Sequence, residues 1–253
     1  MNFPWFFKET ATAANKQTNF RNVTSVQSEV VDVALHQLKT PMVALKWSIK
    51  MLLDKSLGPL TVEQESILLQ DYTSCNRAIS TIESILKADR IEKQNLILHI
   101  LNNNLVTIAN NKITELRRTA EMKKVTLTFS ADNDPALEKI PCDAERISDV
   151  FQNLVSNAIT YTPENGTVMV SLRRFGNDIR TAISDTGIGI SKDHQKNIFV
   201  KFYRAPNGAR MDPNGTGLGL FIAKTIVEKH GGKCWFESAE NKGTTFYFTL
   251  PIK

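Results

Sequence analysis

The chain has 253 residues, 42% of them hydrophobic, enough to enclose one large core or two modest ones. Its net charge of +5 comes from 31 Lys and Arg scattered among 26 Asp and Glu, with no block dense enough to form a stripe, so no nucleic-acid surface is expected. Cys75, Cys142 and Cys234 stand far apart without a CxxC pair, which argues against zinc and disulfides and for buried small apolar side chains. No run approaches the ~20 apolar residues that cross a bilayer, and no signal peptide precedes the polar stretch 8–22. The cluster Phe3-Pro4-Trp5-Phe6-Phe7 reads either as a contact with lipid or another domain, or as a terminus that packs locally.

From Val23 to Leu53 apolar residues recur three or four apart: Val23, Val26, Val30, Ala34, Leu38, Met42, Leu45, Ile49 and Leu52. This spacing predicts a long amphipathic helix. Asp54-Lys-Ser-Leu-Gly58-Pro59 ends it, and Thr61-Val-Glu-Gln64 follows as a capping box opening a second helix from Val62 to about Arg90. Ile67, Leu68, Tyr72, Ala78, Ile79, Ile82, Ile85 and Leu86 supply its apolar side. Two helices joined by a short turn make an antiparallel hairpin, which has no enclosed core of its own. Either a second copy completes a four-helix bundle or the hairpin packs on the rest of its own chain.

Beyond a junction at Asp89 to Asn95 the texture changes. Asn102 to Ala120 reads as a helix, Val125 to Phe129 as a strand, and Ala144 to Thr160 as a helix whose inward side carries Ile147, Val150, Phe151, Leu154, Val155 and Ala158. Strands are expected at Thr167–Leu172, Ile179–Ile183, Lys233–Phe236 and Thr245–Thr249, with a helix from about Leu218 to Lys229. Tight turns at Gly176-Asn177 and Asn241-Lys-Gly243 argue for a mixed sheet covered by helices on one face, a two-layer α/β sandwich.

Asp185-Thr-Gly187-Ile-Gly189 directly follows a strand, a pattern that suits a nucleotide loop or any tight turn. Gly215-Thr216-Gly217-Leu218-Gly219 opens onto a helix, where backbone N–H groups can approach phosphate oxygens. Neither cluster ends in GKS or GKT, so a P-loop is not expected. The polar segment between them, with Pro206, Gly208, Arg210 and Pro213, reads as a lid over phosphates. Asn153 and Asn157 lie one helical turn apart on one face, and an amide oxygen is an acceptable ligand for Mg²⁺.

These boxes, in this order, resemble the transmitter region of bacterial two-component sensor histidine kinases from about Val30 onward. His36-Gln-Leu-Lys-Thr-Pro41 is similar to the phosphoacceptor box, and Asn153-Leu-Val-Ser-Asn157-Ala-Ile-Thr-Tyr161-Thr-Pro163 to the N box. Asp185 to Gly189 and Gly215 to Gly219 are similar to the two glycine boxes, Phe199-Val-Lys-Phe202-Tyr203-Arg204 to the phenylalanine box, and Gly243-Thr244-Thr-Phe246 to the end of the domain. The resemblance implies a dimerisation and phosphoacceptor hairpin (23–92) after an N-terminal linker or upstream segment (1–22), then a Bergerat-fold ATP-binding domain (93–253). It implies ATP and Mg²⁺ as cofactors. Asp185 would accept from the adenine amino group, Asn157 would hold Mg²⁺, Asn153 would sit near the phosphates, Tyr161 would border the base and Arg204 would reach the γ-phosphate. Gly187, Gly189, Gly215, Thr216, Gly217, Leu218, Gly219 and Thr244 would complete the nucleotide site. The implied partners are a second copy, a response-regulator receiver domain and a sensor domain or protein upstream. The implied location is the cytoplasm, with membrane association in a longer protein or through a partner.

His36 is two residues from both Ala34 and Leu38, off the apolar seam and toward solvent. A helical histidine so placed is ordinarily a surface side chain, but a neutral imidazole lone pair can also attack phosphorus, the role the resemblance implies. Pro41 is expected to bend the helix. Thr40, one turn beyond His36, is either a local backbone-bonding residue or, by the resemblance, the residue that orients water for dephosphorylating the regulator. The chain departs from the family at two positions. Gln37 stands where Glu or Asp is common and can orient the imidazole but not accept its proton; Thr160 stands where Lys or Arg is frequent. They leave open the alternative of a pseudokinase or dimeric scaffold that binds nucleotide and regulator but transfers little phosphate.

Overall fold

The structure is a computed structural model that describes residues 33–92 and 96–253. The segment 1–22, the expected start of the first helix at 23–32 and the junction residues 93–95 lie outside the described residues. The chain divides into two compact units, Met1–Asp89 and Arg90–Lys253.

The first unit is the antiparallel hairpin that the sequence predicts. Helix α1 covers residues 33–53 and continues through Pro41, where the Thr40 hydroxyl donates to the His36 carbonyl at 3.2 Å. Left-handed backbone at Lys55 and Gly58 turns the chain. Helix α2, Val62–Glu92, opens on the capping box: the Thr61 N–H donates to Gln64 Oε1 at 2.9 Å and the Gln64 N–H to Thr61 Oγ1 at 3.2 Å. Lys39 pairs with Glu83 at 2.6 Å across the two helices, and Lys55 of the turn pairs with Glu65 at 3.6 Å. Exposed pairs of this kind are worth at most about 1 kcal/mol each, so apolar packing carries the hairpin. That packing is one-sided. Ile49, Cys75, Ile79, Ile82 and Leu86 are buried, whereas Leu38 and Leu45 of the expected stripe are 55% and 51% exposed. The expected stripe is thus wider than the strip that faces α2, so one hairpin cannot cover it.

The second unit is a two-layer α/β sandwich. In chain order it contains β1 (Leu101–Asn103), α3 (Leu105–Met122), β2 (Thr126–Ala131), a 3-10 turn (Pro135–Glu138), β3 (Ile140–Cys142) and α4 (Ala144–Tyr161). There follow β4 (Thr167–Phe175), β5 (Asp178–Asp185), α5 (Lys192–Gln195), α6 (Pro206–Met211), α7 (Gly219–Lys229), β6 (Cys234–Ser238) and β7 (Thr244–Pro251). The main sheet runs β2-β4-β5-β7-β6, antiparallel except for the parallel β2–β4 pair, which makes it mixed. Helix α3 begins at Leu105 rather than Asn102, because the Asn104 side chain caps it by accepting the Thr107 N–H at 2.9 Å and residues 101–103 pair with β3. Helices α3, α4 and α7 bury their apolar faces on one side of the sheet; Phe151 of α4 meets Phe248 of β7 edge to face at 5.5 Å. On the other side Trp235 stacks on Tyr247 at 5.3 Å and Arg180 lies over Phe175 at 4.7 Å, cross-strand pairs that shield the uncovered strands. The three cysteines are free and buried, and burial pushes the Cys142 and Cys234 thiols up to about 11 and about 12.

His230, at the end of α7, ties that helix to the start of α4. Its Nε2 accepts the Asp143 N–H at 3.0 Å while Nδ1 lies 2.8 Å from the Ile226 carbonyl, an arrangement that requires the neutral ring with its proton on Nδ1. Burial holds the imidazole below its ordinary value of 6.5, against the Ile226 carbonyl and the Asp143 charge. Because the folded value is the lower one, the unfolded chain binds more protons in this window, so stability is lost as pH falls from 6.5 toward the folded value. Asp143 stays ionised there: burial pushes its carboxyl up, but the His99 and Arg146 N–H groups and nearby cationic groups hold it below its usual range. The expected outcome is a melting temperature that drops between about pH 7 and pH 5.5, and drops less for His230→Gln, whose amide oxygen can accept the same N–H without titrating. Parallel melting curves for the two proteins would refute this.

Candidate functional site

The last turn of α4, the end of β5 and the β6–β7 turn converge on Asp185. This carboxylate closes β5 and is 7% exposed; its Oδ1 accepts the Gly187 N–H at 2.8 Å and the Thr244 N–H at 3.1 Å. Burial pushes the carboxyl up, and those two N–H groups oppose the shift. Oδ2 makes no hydrogen bond among the described residues, so it remains able to accept from a ligand.

The loop after Asp185 is fastened on both sides. On one side the Ile188 N–H donates to the Tyr161 carbonyl at 3.1 Å, and a Cβ on Gly187 would collide with that same carbonyl. On the other, the Asn241 N–H donates to the Ile188 carbonyl at 2.8 Å and the Ile190 N–H to Ser238 Oγ at 2.9 Å. Ser238 is a hub that the sequence analysis missed. Its hydroxyl also donates to the Gly243 carbonyl at 3.0 Å and lies 2.8 Å from Thr244 Oγ1. Gln195 joins the same seam, its amide donating to the Ile190 and Ser238 carbonyls at 2.9 and 3.0 Å. No sequence motif flags these residues, because their partners lie up to 48 positions away.

Asn153 and Asn157 are half-buried on α4, and neither side chain hydrogen-bonds another described residue. The structure brings Asn153 beside the second glycine cluster: a Cβ on Gly219 would lie 3.1 Å from Asn153 Oδ1. Gly219 begins α7, whose N-cap is Leu218, itself fully buried and without a side-chain cap bond. The helix N-terminus therefore keeps unpaired N–H donors facing the cluster, the arrangement that favours an anion. Thr216 Oγ1 accepts the Leu218 N–H at 3.3 Å, shaping the approach to the helix.

The segment between the two clusters is anchored at its stems. Phe199 packs in a three-ring cluster with Phe236 (5.9 Å) and Phe246 (6.4 Å). The Phe202 N–H donates to the Gly217 carbonyl at 3.0 Å, and Gly217 is left-handed with Phe202 so close behind it that any side chain would strike its backbone. Between these stems lies α6, where a Cβ on Gly208 would lie 3.4 Å from the Tyr161 ring. Arg204 is turned into this segment. Its guanidinium donates to the carbonyls of Pro213 (3.3 Å), Gly208 (3.4 Å) and Asp212 and lies 4.0 Å from the Asp212 carboxylate. Burial pushes the Tyr161 hydroxyl up, and the neighbouring Arg204 opposes it.

His36, Gln37 and Thr40 belong to the helical unit, all three exposed on α1. Among the described residues no cluster of His, Cys, Asp and Glu could hold a metal ion, and no helix is long and apolar enough to cross a membrane. The half-buried amide of Asn157 is of a donor type that fits a Mg²⁺ ion otherwise held by phosphate oxygens and water.

Comparison with known proteins agrees with this architecture. Residues 142–253 match the family described as histidine kinase-, DNA gyrase B-, and HSP90-like ATPase. The circadian input-output histidine kinase CikA of Synechococcus elongatus is 30% identical over 227 residues, 90% of this chain and 30% of that protein. The adaptive-response sensory kinase SasA of a Synechococcus strain is 29% identical over 247 residues, 97% of this chain and 64% of its own length. The chain thus spans between 30% and 64% of these two curated relatives. Full-length ShkA, solved in complex with AMPPNP, shares the fold over 88% of this chain and 45% of its own, with a TM-score of 0.73 at 22% identity. The catalytic domain of the histidine kinase ThkA matches 61% of this chain with a TM-score of 0.54. Since that match is 30% identical and takes in 96% of the ThkA domain, the chain belongs to the histidine kinases, and its α/β unit has the fold of their ATPase domain.

Proposed function

We propose that this chain binds ATP with Mg²⁺ in its α/β unit, phosphorylates His36 and passes the phosphoryl group to an aspartate on a response-regulator receiver domain. The observation that carries the reading is Asp185, a buried carboxylate with one oxygen committed to two backbone N–H groups and the other open to an adenine amino group. A carboxylate is rarely buried without a charged partner unless a ligand or a hydrogen-bond network compensates it.

In this reading Tyr161 borders the base, Asn153 and the amides of Gly215, Thr216, Gly217, Leu218 and Gly219 face the phosphates, and Gly187, Gly189 and Thr244 shape the adenine end. Asn157 would hold Mg²⁺, which when bound neutralises charge on the phosphate oxygens. Arg204 would leave its carbonyl partners to meet the γ-phosphate. A His36 ring nitrogen then forms a bond to the γ-phosphorus as the bond to the bridging oxygen breaks, and ADP leaves with that electron pair. Gln37 orients the ring, and the released proton passes to water because an amide cannot take it at neutral pH. Thr40 serves the reverse task of positioning water against the phosphorylated regulator. The exposed Leu38 and Leu45 supply the second apolar face of α1, which a second copy would cover to form a four-helix bundle.

Incubation with labelled ATP should place acid-labile, base-stable phosphate on the wild type and none on His36→Ala. In single-turnover measurements Gln37→Glu should be faster by less than the ~10²–10⁴ typical of a general base, and Gln37→Ala slower. An unlabelled wild type that still binds ATP would favour the scaffold alternative. Asp185→Asn should fold normally yet lose about 1.5–3 kcal/mol of ATP binding by calorimetry, the worth of a charge-assisted hydrogen bond; unchanged affinity would remove Asp185 from the site. Light scattering should give a dimer without nucleotide, and Leu38→Glu with Leu45→Glu a monomer; a monomeric wild type at tens of micromolar would refute the bundle.

A further inference from the structure

We infer that Ser238 is a positioning residue that sets which bases the nucleotide site accepts, by fixing the hydroxyl of Thr244 as an acceptor beside Asp185; this rests on the ATP-binding reading above. Ser238 ends β6, Thr244 opens β7 and Asp185 closes β5; in the sheet Ser238 stands opposite Thr244, and Thr244 opposite Asp185. Residues opposite each other in an antiparallel pair project from the same face, so the three side chains form one polar row across the ends of three strands. Closing the turn before β7 would by itself account for a serine bonded to the Gly243 carbonyl. The placing of hydrogens along the row goes beyond that.

A hydroxyl has one hydrogen to donate and two lone pairs that accept. Ser238 Oγ lies 2.9 Å from the Ile190 nitrogen, 3.0 Å from the Gly243 carbonyl and 2.8 Å from Thr244 Oγ1. A carbonyl can only accept, so the Ser238 hydrogen goes to Gly243; an N–H can only donate, so Ile190 fills one lone pair. The remaining contact is favourable in one sense alone, with Thr244 donating and Ser238 accepting. The loop bearing the Ile190 N–H is itself held, since the Gln195 amide donates to the carbonyls of Ile190 and Ser238. Thr244 has therefore spent its hydrogen on Ser238, and its hydroxyl oxygen makes no other hydrogen bond among the described residues. Beside it, Asp185 Oδ1 is taken by two N–H groups while Oδ2 is open. With Asp185 ionised, the row offers a base two acceptors and no donor. Asp185 is 7% exposed and Thr244 6%, so bulk water does little to relieve a mismatch. A base with an amino group at its 6-position satisfies such a row. One with an oxo group there sets an acceptor against acceptors, and a buried acceptor without a donor is costly.

The test compares ATP and inosine triphosphate binding to the full chain by calorimetry, with melting temperatures measured without ligand. These nucleotides differ only in the group at the 6-position and the hydrogen on the adjoining ring nitrogen. The wild type should bind ATP at least about tenfold more tightly, the discrimination expected where a buried polar group meets the wrong polarity. Ser238→Ala returns the Thr244 hydrogen to the site, where it can donate to an oxo group, and should narrow that ratio about fivefold, chiefly by strengthening inosine triphosphate. Thr244→Val removes the acceptor and should narrow the ratio too; in its presence Ser238→Ala should change the ratio no further. Ser238→Thr keeps the hydroxyl and should keep the preference. A wild type that binds both nucleotides alike, a Ser238→Ala variant that weakens both equally, or a Thr244→Val variant with the wild-type ratio would overturn the inference. So would effects of the two substitutions that simply add, or a lost preference in a Ser238→Thr variant that melts like the wild type. A wild type that binds neither nucleotide would instead overturn the nucleotide reading on which it rests.

Discussion

The geometry of the α/β unit hangs on one carboxylate oxygen. Asp185 Oδ1 receives the N–H of Gly187, two residues on, and the N–H of Thr244, fifty-nine residues on, so a single acceptor ties the end of β5, the first glycine loop and the start of β7. Its neighbours have little freedom. Gly243 is left-handed and lies flat against the Asp185 backbone, where a side chain would collide with it. Burying a charged group in this way is costly unless hydrogen bonds compensate it, and the two N–H groups supply that compensation for one oxygen only. The other oxygen is what a ligand can use.

Around this fixed floor the lid is held at its stems and by a local charge network. Phe199 sinks into the rings of β6 and β7, whereas Phe202, three residues on, is 61% exposed on left-handed backbone, held by its N–H bond to Gly217. Between the stems, α6 spans only Pro206–Met211, too short to be stable alone. Its position depends on Gly208 lying on Tyr161 and on Arg204 binding three carbonyls. These contacts are few and partly charged, so they can be exchanged for contacts with an anionic ligand at modest cost. A segment poised this way suits a site that must admit and release nucleotide in each cycle.

The helical unit faces the opposite problem. It has more apolar surface than one hairpin can bury, and Leu38, Leu45, Trp47 and Ile67 stay more than half exposed. Packing of Ile49 against Cys75, Ile79 and their neighbours on α2 sets which side of α1 is covered, and His36 stays exposed. Exposure is what the proposed phosphoacceptor role of His36 requires, since a buried imidazole could not be reached by a separate unit. The same helix thus carries an exposed apolar face and a polar edge, the two features that the proposed dimer and phosphoacceptor would use.

The sequence by itself determined the elements whose signals are local. Helical periodicity, the Thr61–Gln64 capping box, the Gly176-Asn177 turn and the two glycine clusters each depend on residues within a few positions, and each stands in the structure where the spacing puts it. Asp185 and Asn153 were legible as candidates for the same reason, since a glycine cluster beside an acid and paired amides on one helical face are short-range patterns. What only the tertiary structure decided are contacts between distant positions. Asn104 rather than Asn102 starts α3 because residues 101–103 pair with a strand forty residues away. Ser238, Gln195 and His230 acquired their roles from partners with no sequence relation to them, and Lys123 reached α4 only because α3 ends beside it. A hydrogen bond needs its donor and acceptor about 3 Å apart, and folding rather than spacing along the chain brings such groups together.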